Sequence, residues 1–103
     1  MNTLWEFSKM ATRMHNPPHP GPLVKSIIDE KGMTVSAFAE HIGMSRVALS
    51  RVLNQRAAVT AMLDYRISAA LGQTPGLWLR MQTSHDFWQL EQQRLPKIDR
   101  LAA

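Results

Sequence analysis

Apolar residues recur along this chain at the spacing of helices. Leu23, Ile27 and Ile28 share one side of a helix expected over about 22–31, with Pro22 in its first turn, where a missing N–H costs no intrahelical bond. Gly32 is placed to stop it, because glycine takes left-handed backbone without a Cβ penalty. Phe38, Ala39 and Ile42 form a second stripe, opened by the Thr34 hydroxyl as a cap and ended at Gly43. Only Met44 separates Gly43 from Ser45, which caps a third helix carrying Val47, Leu49, Val52 and Leu53. After a loop over 54–59, Thr60 caps a fourth helix with Leu63, Ile67, Ala70 and Leu71, closed by Gly72. Thr74 and Pro75 open a fifth, expected to reach about Gln93 before Pro96 blocks it. No stretch alternates with a period of two, and no Asn-Gly or Asp-Gly hairpin turn occurs, so the expected fold is all-α with five helices.

Four of the six prolines fall in His15-Asn16-Pro17-Pro18-His19-Pro20-Gly21-Pro22, where they fix φ and remove backbone donors. This stretch is expected as an extended arm. The resulting layout is a leader and proline-rich arm over 1–21, a helical domain over 22–93 and a tail over 94–103. A chain of 103 residues is one small domain, which excludes a two-domain enzyme with a large cleft. Hydrophobic residues make up 45% of it, enough to bury a core. Cysteine is absent, so disulfides, zinc-thiolate clusters and catalytic thiols are excluded. No apolar run approaches the roughly 18 residues of a membrane span, and the expected location is the cytoplasm.

Twelve Lys and Arg against eight Asp and Glu leave a net charge of +4, which favours an anionic partner, nucleic acid first. The charge is unevenly placed. Between Met44 and Arg66 stand Arg46, Arg51, Arg56 and Arg66 against the single acid Asp64, whereas 22–43 holds Lys25 and Lys31 against Asp29, Glu30 and Glu40. That basic stretch includes a helix-turn-helix pattern, Phe38-Ala39-Glu40-His41-Ile42-Gly43-Met44-Ser45-Arg46-Val47-Ala48-Leu49-Ser50-Arg51-Val52-Leu53. Ala39 lets the two helices approach, Gly43 permits the turn, and Ile42, Leu49 and Val52 lock the pair to the core. Ser45, Arg46, Val47, Ala48 and Arg51 then occupy the outer side of the second helix, which such motifs lay against base edges in the major groove. Arg51 is the expected base reader, since a guanidinium bonds guanine bidentately. Thr34, Ser36, Ser50, Asn54, Gln55 and Arg56, with amides at the helix starts, are the expected phosphate contacts.

Other groups are weaker candidates. His15 and His19 lack a nearby Cys, Asp or Glu to complete a metal site, so no metal or cofactor is expected. Asp64, Asp86, Glu91 and His85 have no nucleophile elbow or glycine-rich loop around them and read as surface charges, not as an enzyme's acid and base. Met33, Met44, Met62 and Met81 read as core fillers. On the last helix, Trp78, Met81 and Trp88 line one side and Leu79, Phe87 and Leu90 a neighbouring side. That width exceeds what one core needs, and a homodimer contact through Trp78, Leu79, Phe87 and Leu90 is expected.

Three blocks together resemble the HigA-type antitoxins, a branch of the Xre and phage-repressor helix-turn-helix family. They are Asn16-Pro17-Pro18-His19-Pro20-Gly21, the helix-turn-helix through Ser50-Arg51-Val52-Leu53-Asn54, and Ala70-Leu71-Gly72-Gln73-Thr74-Pro75-Gly76-Leu77-Trp78-Leu79-Arg80-Met81-Gln82. The resemblance implies a five-helix lambda-repressor-like domain in a bacterial homodimer. Such a dimer binds a palindromic double-stranded operator in its own promoter, and it binds a HigB-type toxin, a ribosome-dependent mRNA endonuclease. The chain departs from the family's pattern in its leader, Met1 to Arg13, since many relatives start near the equivalent of Met14. It departs again at Leu63-Asp64-Tyr65, where relatives carry a more apolar run, and at His85-Asp86-Phe87, where many have Tyr-Asp-Leu. A phage-type repressor without a toxin, or a helical module binding an acidic protein, would use the same residues; a salt-steep preference for one palindromic duplex excludes the latter.

Overall fold

In the computed structural model, residues 16–102 are described; the leader, the alternative starts at Met10 and Met14, and His15 lie outside them. Side-chain hydroxyls open three of the helices where the sequence places them. Thr34 Oγ1 accepts the Ala37 N–H at 3.0 Å, Ser45 Oγ that of Ala48 at 3.1 Å, and Thr60 Oγ1 that of Leu63 at 3.2 Å. Each satisfies an amide that has no partner within the first turn, worth about 1 kcal/mol. The helices are α1 (Gly21–Glu30), α2 (Val35–Ile42), α3 (Arg46–Leu53), α4 (Ala61–Leu71) and α5 (Leu77–Glu91), with no strand among the described residues. The all-α, five-helix expectation holds.

The start of α5 differs from expectation, and the reason is physical. Thr74 does not cap it; the helix begins at Leu77, after Gly76 at φ 124, and no side chain from its own first turn serves its free amides. Asp64 of α4 serves them instead. Its Oδ1 accepts the Gly76 N–H at 2.9 Å and its Oδ2 the Leu79 N–H at 2.7 Å, while the Ser68 hydroxyl donates to Oδ1 at 3.0 Å. Asp64 is 2% exposed, so the surface charge expected from the sequence is a buried link between two helices. Burying a carboxylate is costly unless it is hydrogen-bonded, and two amides at the positive end of α5 with the Ser68 hydroxyl of α4 meet that need.

The core draws on every helix. Val24 and Ile28 of α1, Phe38 and Ala39 of α2, Leu49 and Val52 of α3, Leu63 and Ile67 of α4 and Trp78 and Met81 of α5 are all buried. Full burial of such side chains contributes about 1.5–3 kcal/mol each. Met33 and Met44 pack against this core as expected, but Met62 does not: it stands on the outer side of α4, 61% exposed.

The described part of the proline-rich stretch, residues 16–20, forms neither helix nor strand and is docked, with Pro17, His19 and Pro20 buried; Pro20 has helical backbone at φ −69 and ψ −18, and Gly21 is already the first residue of α1. His19 Nδ1 accepts the Gly21 N–H at 2.9 Å, which leaves Nε2 to donate to the Ala57 carbonyl at 3.1 Å. His85 of α5 donates from Nδ1 to the Pro17 carbonyl at 3.0 Å, and the two imidazoles meet edge to face, centroids 5.4 Å apart. Gly21 lies against the carbonyl end of α3, where a Cβ would clash with the Val52 oxygen and sit 3.0 Å from that of Leu53.

Candidate nucleic-acid interface

The turn between α2 and α3 is held from three sides. Ala39, 1% exposed, lets the helices touch, and Gly43 adopts φ 76 so that the Met44 N–H returns to the Ala39 carbonyl at 2.9 Å. Arg66 of α4 supplies the third support, donating from Nη1 to the carbonyls of Ile42 at 3.2 Å and Gly43 at 2.7 Å. A cation at the negative end of α2 is favourable on dipole grounds as well. Arg66, counted in the sequence with the basic stretch, is therefore half-buried and engaged with the turn.

α3 divides its residues cleanly. Leu49, Val52 and Leu53 face inward, while Ser45, Arg46, Val47, Ala48 and Arg51 are exposed on one outer side, Val47 by 66%. The Ser45 oxygen accepts from Ala48, and its own proton remains available to a ligand. Arg46, Arg51 and Arg56 are exposed and join no ion pair among the described residues; those present are Lys25–Asp29 on α1 and Lys97–Asp99 in the tail. With Asp64 turned inward toward α5, no carboxylate between residues 44 and 66 faces solvent. With Arg66 held at the turn, the solvent-facing charges of this stretch are Arg46, Arg51 and Arg56, all cationic.

The six expected phosphate contacts are unequally placed. Thr34 and Ser36 are exposed at the start of α2, and Gln55 and Arg56 are exposed in the loop after α3, Gln55 in left-handed backbone at φ 63. Gln55 and Arg56 directly follow α3, whereas Thr34 and Ser36 stand at the start of the helix before it. Ser50 and Asn54 are occupied with each other: Asn54 Nδ2 donates to the Ser50 carbonyl at 2.9 Å and to its Oγ at 3.2 Å, closing the end of α3.

On α5, Phe87 and Leu90 are 62% and 42% exposed and Leu79 is half-buried, but Trp78 is 1% exposed and donates from Nε1 to Gln73 Oε1 at 3.0 Å. Trp78 belongs to this chain's own core and is not available to a second subunit. The sequence reading missed Met62 and Tyr65, which present a further apolar surface on α4. Tyr65 edges an open groove of about 300 Å³ that also includes His41, Ile42 and Ala69. Their spacing of three along α4, opposite Leu63 and Ile67, was the available signal.

Between the α3–α4 loop and α5 lies a polar hollow of about 250 Å³ bordered by His19, Gln55, Arg56, Gln82, His85 and Asp86. Buried Gln82 spans it, accepting the Val59 N–H at 2.9 Å and donating to Asp86 at 2.9 Å. Burial holds the His19 pKa below its ordinary value, and the neighbouring His85 pushes it further down, against the opposing pull of the Ala57 carbonyl and Asp86. Both ring nitrogens of His19 already have partners, which leaves neither for a metal.

A tight glycine turn joining two short helices, the second offering small and cationic side chains outward from an all-helical scaffold, defines a helix-turn-helix protein. The chain matches the Helix-turn-helix family over residues 24–79. It is 34% identical to virulence-associated protein A' of Dichelobacter nodosus, over 84% of this chain and 76% of that one. It is 32% identical to antitoxin HigA-1 of Vibrio cholerae, over 77% of this chain and 75% of that one. An antidote protein of a plasmid maintenance system from Nostoc punctiforme superposes with a TM-score of 0.72 at 34% identity, covering 75% of this chain and 85% of that one. The chain belongs to the Xre-type helix-turn-helix family of antitoxin-like transcriptional regulators, which includes HigA antitoxins and whose members bind rather than catalyse.

Proposed function

We propose that this chain is the antitoxin of a type II toxin–antitoxin pair. As a homodimer in the bacterial cytoplasm, nucleoid-associated when bound to DNA, it binds a palindromic operator, represses its own operon and neutralises a HigB-type mRNA endonuclease. One observation carries the DNA reading: Arg46, Arg51 and Arg56 stand exposed, with no ion-pair partner among the described residues, along and just beyond α3, whose capped N-terminus also faces outward. In this reading Arg51 bonds guanine O6 and N7, the Val47 methyls meet thymine methyls, and Ala48 permits close approach. Thr34, Ser36, Gln55 and Arg56 hold phosphates on either side and set the register. Leu79, Phe87 and Leu90 of α5 supply the dimer contact, which places two copies of α3 about 34 Å apart or a multiple of it.

The toxin reading rests on likeness to HigA-1 and to the antidote protein, each above 30% identity. A repressor with no toxin is the second reading, supported by 29% identity over 86% of this chain to YddM of Escherichia coli, described as an HTH-type transcriptional regulator. Co-expression with a HigB-type toxin encoded next to this gene, as the antitoxin reading requires, separates the two. Co-purification with loss of toxicity is the expected result, and a toxin that stays lethal and unbound counts against the antitoxin. For the DNA reading, footprinting on the chain's own promoter is expected to show a protected palindrome; binding no tighter than to scrambled duplex would overturn it.

A further inference from the structure

After α5 the chain continues through residues 94–102 without regular structure, and its sequence repeats a three-residue unit: Arg94-Leu95-Pro96, Lys97-Ile98-Asp99, Arg100-Leu101-Ala102. A period of three fits neither an α-helix nor a strand, but it is the period of a polyproline II segment. Pro96 fixes its own φ and holds Leu95 extended, which favours that conformation. Arg94, Lys97 and Arg100 then form one row, about 9 Å apart, and Leu95, Ile98 and Leu101 form a second. The domain uses neither row: Leu95, Ile98 and Leu101 are 53%, 86% and 91% exposed. Lys97 approaches Asp99 at 3.9 Å with both side chains about nine-tenths exposed, a pair of little strength, and Arg94 and Arg100 join no ion pair among the described residues.

The tail also starts in a telling place. α5 passes the loop that carries Gln55 and Arg56, to which it is tied by Gln82 on Val59 and beside which lie His85 and Asp86. About 9 Å of helix separates Asp86 from the end of α5. From there residues 94–102, when extended, reach about 28 Å.

We propose that residues 94–102 form an arm that lies along duplex DNA beside the bases read by α3. Arg94, Lys97 and Arg100 contact phosphates, and Leu95, Ile98 and Leu101 rest on the deoxyribose edges of the groove wall. Duplex DNA answers both rows at once, since its groove rims are anionic and its sugar edges apolar. An acidic surface alone would leave the aliphatic row wet. The proposal rests on the DNA reading above and adds a contact that is independent of sequence.

The test uses full-length protein, the triple variant Arg94→Gln/Lys97→Gln/Arg100→Gln and the triple variant Leu95→Ser/Ile98→Ser/Leu101→Ser. Each is titrated across salt on a long operator duplex, the same operator trimmed to its palindrome, and scrambled DNA. Loss of three phosphate contacts is expected to lower the salt slope by about 2–3 per subunit on long duplex, to weaken operator and scrambled DNA by the same factor, and to have little effect on the trimmed site. The serine variant is expected to weaken long-duplex binding with its slope unchanged. An unchanged slope in the glutamine variant overturns the arm, as does an equal loss on trimmed DNA. Loss of toxin binding with DNA binding intact also overturns it, assigning the tail to a protein partner. If Arg51→Ala still relaxes preference at one base pair per half-site in those cases, the arm alone fails; if the unaltered protein binds no DNA, both readings fail.

Discussion

The proton on His19 is fixed by its neighbours: Nδ1 must stay bare to accept from Gly21, and Nε2–H is held by the Ala57 carbonyl. Because burial lowers its pKa in the fold, the unfolded chain takes up a second proton, at Nδ1, more readily. The stability it contributes is complete above the ordinary histidine pKa of about 6.5 and is lost as pH falls through the lower folded value. Thermal melts are expected to show stability declining as pH falls below about 6.5. His19→Gln should be weaker at pH 7 by about 1–3 kcal/mol and should lack that share of the decline; an identical pH profile in the variant would refute the assignment. Asp64→Ala removes the acceptor of three hydrogen bonds and should cost about 2–4 kcal/mol by chemical denaturation. A loss near zero would mean that water replaces the carboxylate. Neither role was legible in the sequence, since the backbone partners of Asp64 lie 12 and 15 residues on and the Ala57 carbonyl that holds His19 Nε2 lies 38 residues away. What was visible for Asp64 is indirect: α5 has no acidic residue in its own first turn.

α1 to α4 were readable because each has its apolar stripe within its own sequence, with a glycine stop after α1, α2 and α4 and a hydroxyl cap before α2, α3 and α4. α5 was readable in its body but not in its start, because the groups that satisfy its first amides belong to α4. The same limit applies to Arg66, whose charge is plain in the sequence but whose direction depends on how α4 crosses the end of α2. For α3 the outward residues followed from spacing alone, and the binding predictions rest on them. Arg51→Ala should cost about 1–3 kcal/mol on the operator and relax preference at one base pair per half-site. Arg56→Ala should weaken operator and random DNA alike and lower the salt slope by about one per subunit. Titrations on operator and scrambled duplex across salt separate the two; unchanged base preference in Arg51→Ala would mean that another face of α3 does the reading.

Two apolar surfaces, Phe87 with Leu90 on α5 and Met62 with Tyr65 on α4, stand outside the core that the five helices complete among themselves. Their sequence pattern announced an excess of apolar surface on α5, yet which residues the chain keeps for itself depended on the packing, and Trp78 went to its own core. Phe87→Asp with Leu90→Asp is expected to give a monomer by sedimentation at micromolar concentration and to weaken operator binding more than half-site binding, whereas a variant that stays dimeric would move the contact to α4. Gly21 carries a different kind of consequence. The backbone that enters the domain from the leader is wedged beneath the last carbonyls of α3, with no side chain between them to absorb a shift. A displacement of Gly21 therefore bears directly on the C-terminal foot of α3, the helix proposed to read DNA, so Gly21 is a point at which the entering backbone and that helix are expected to move together.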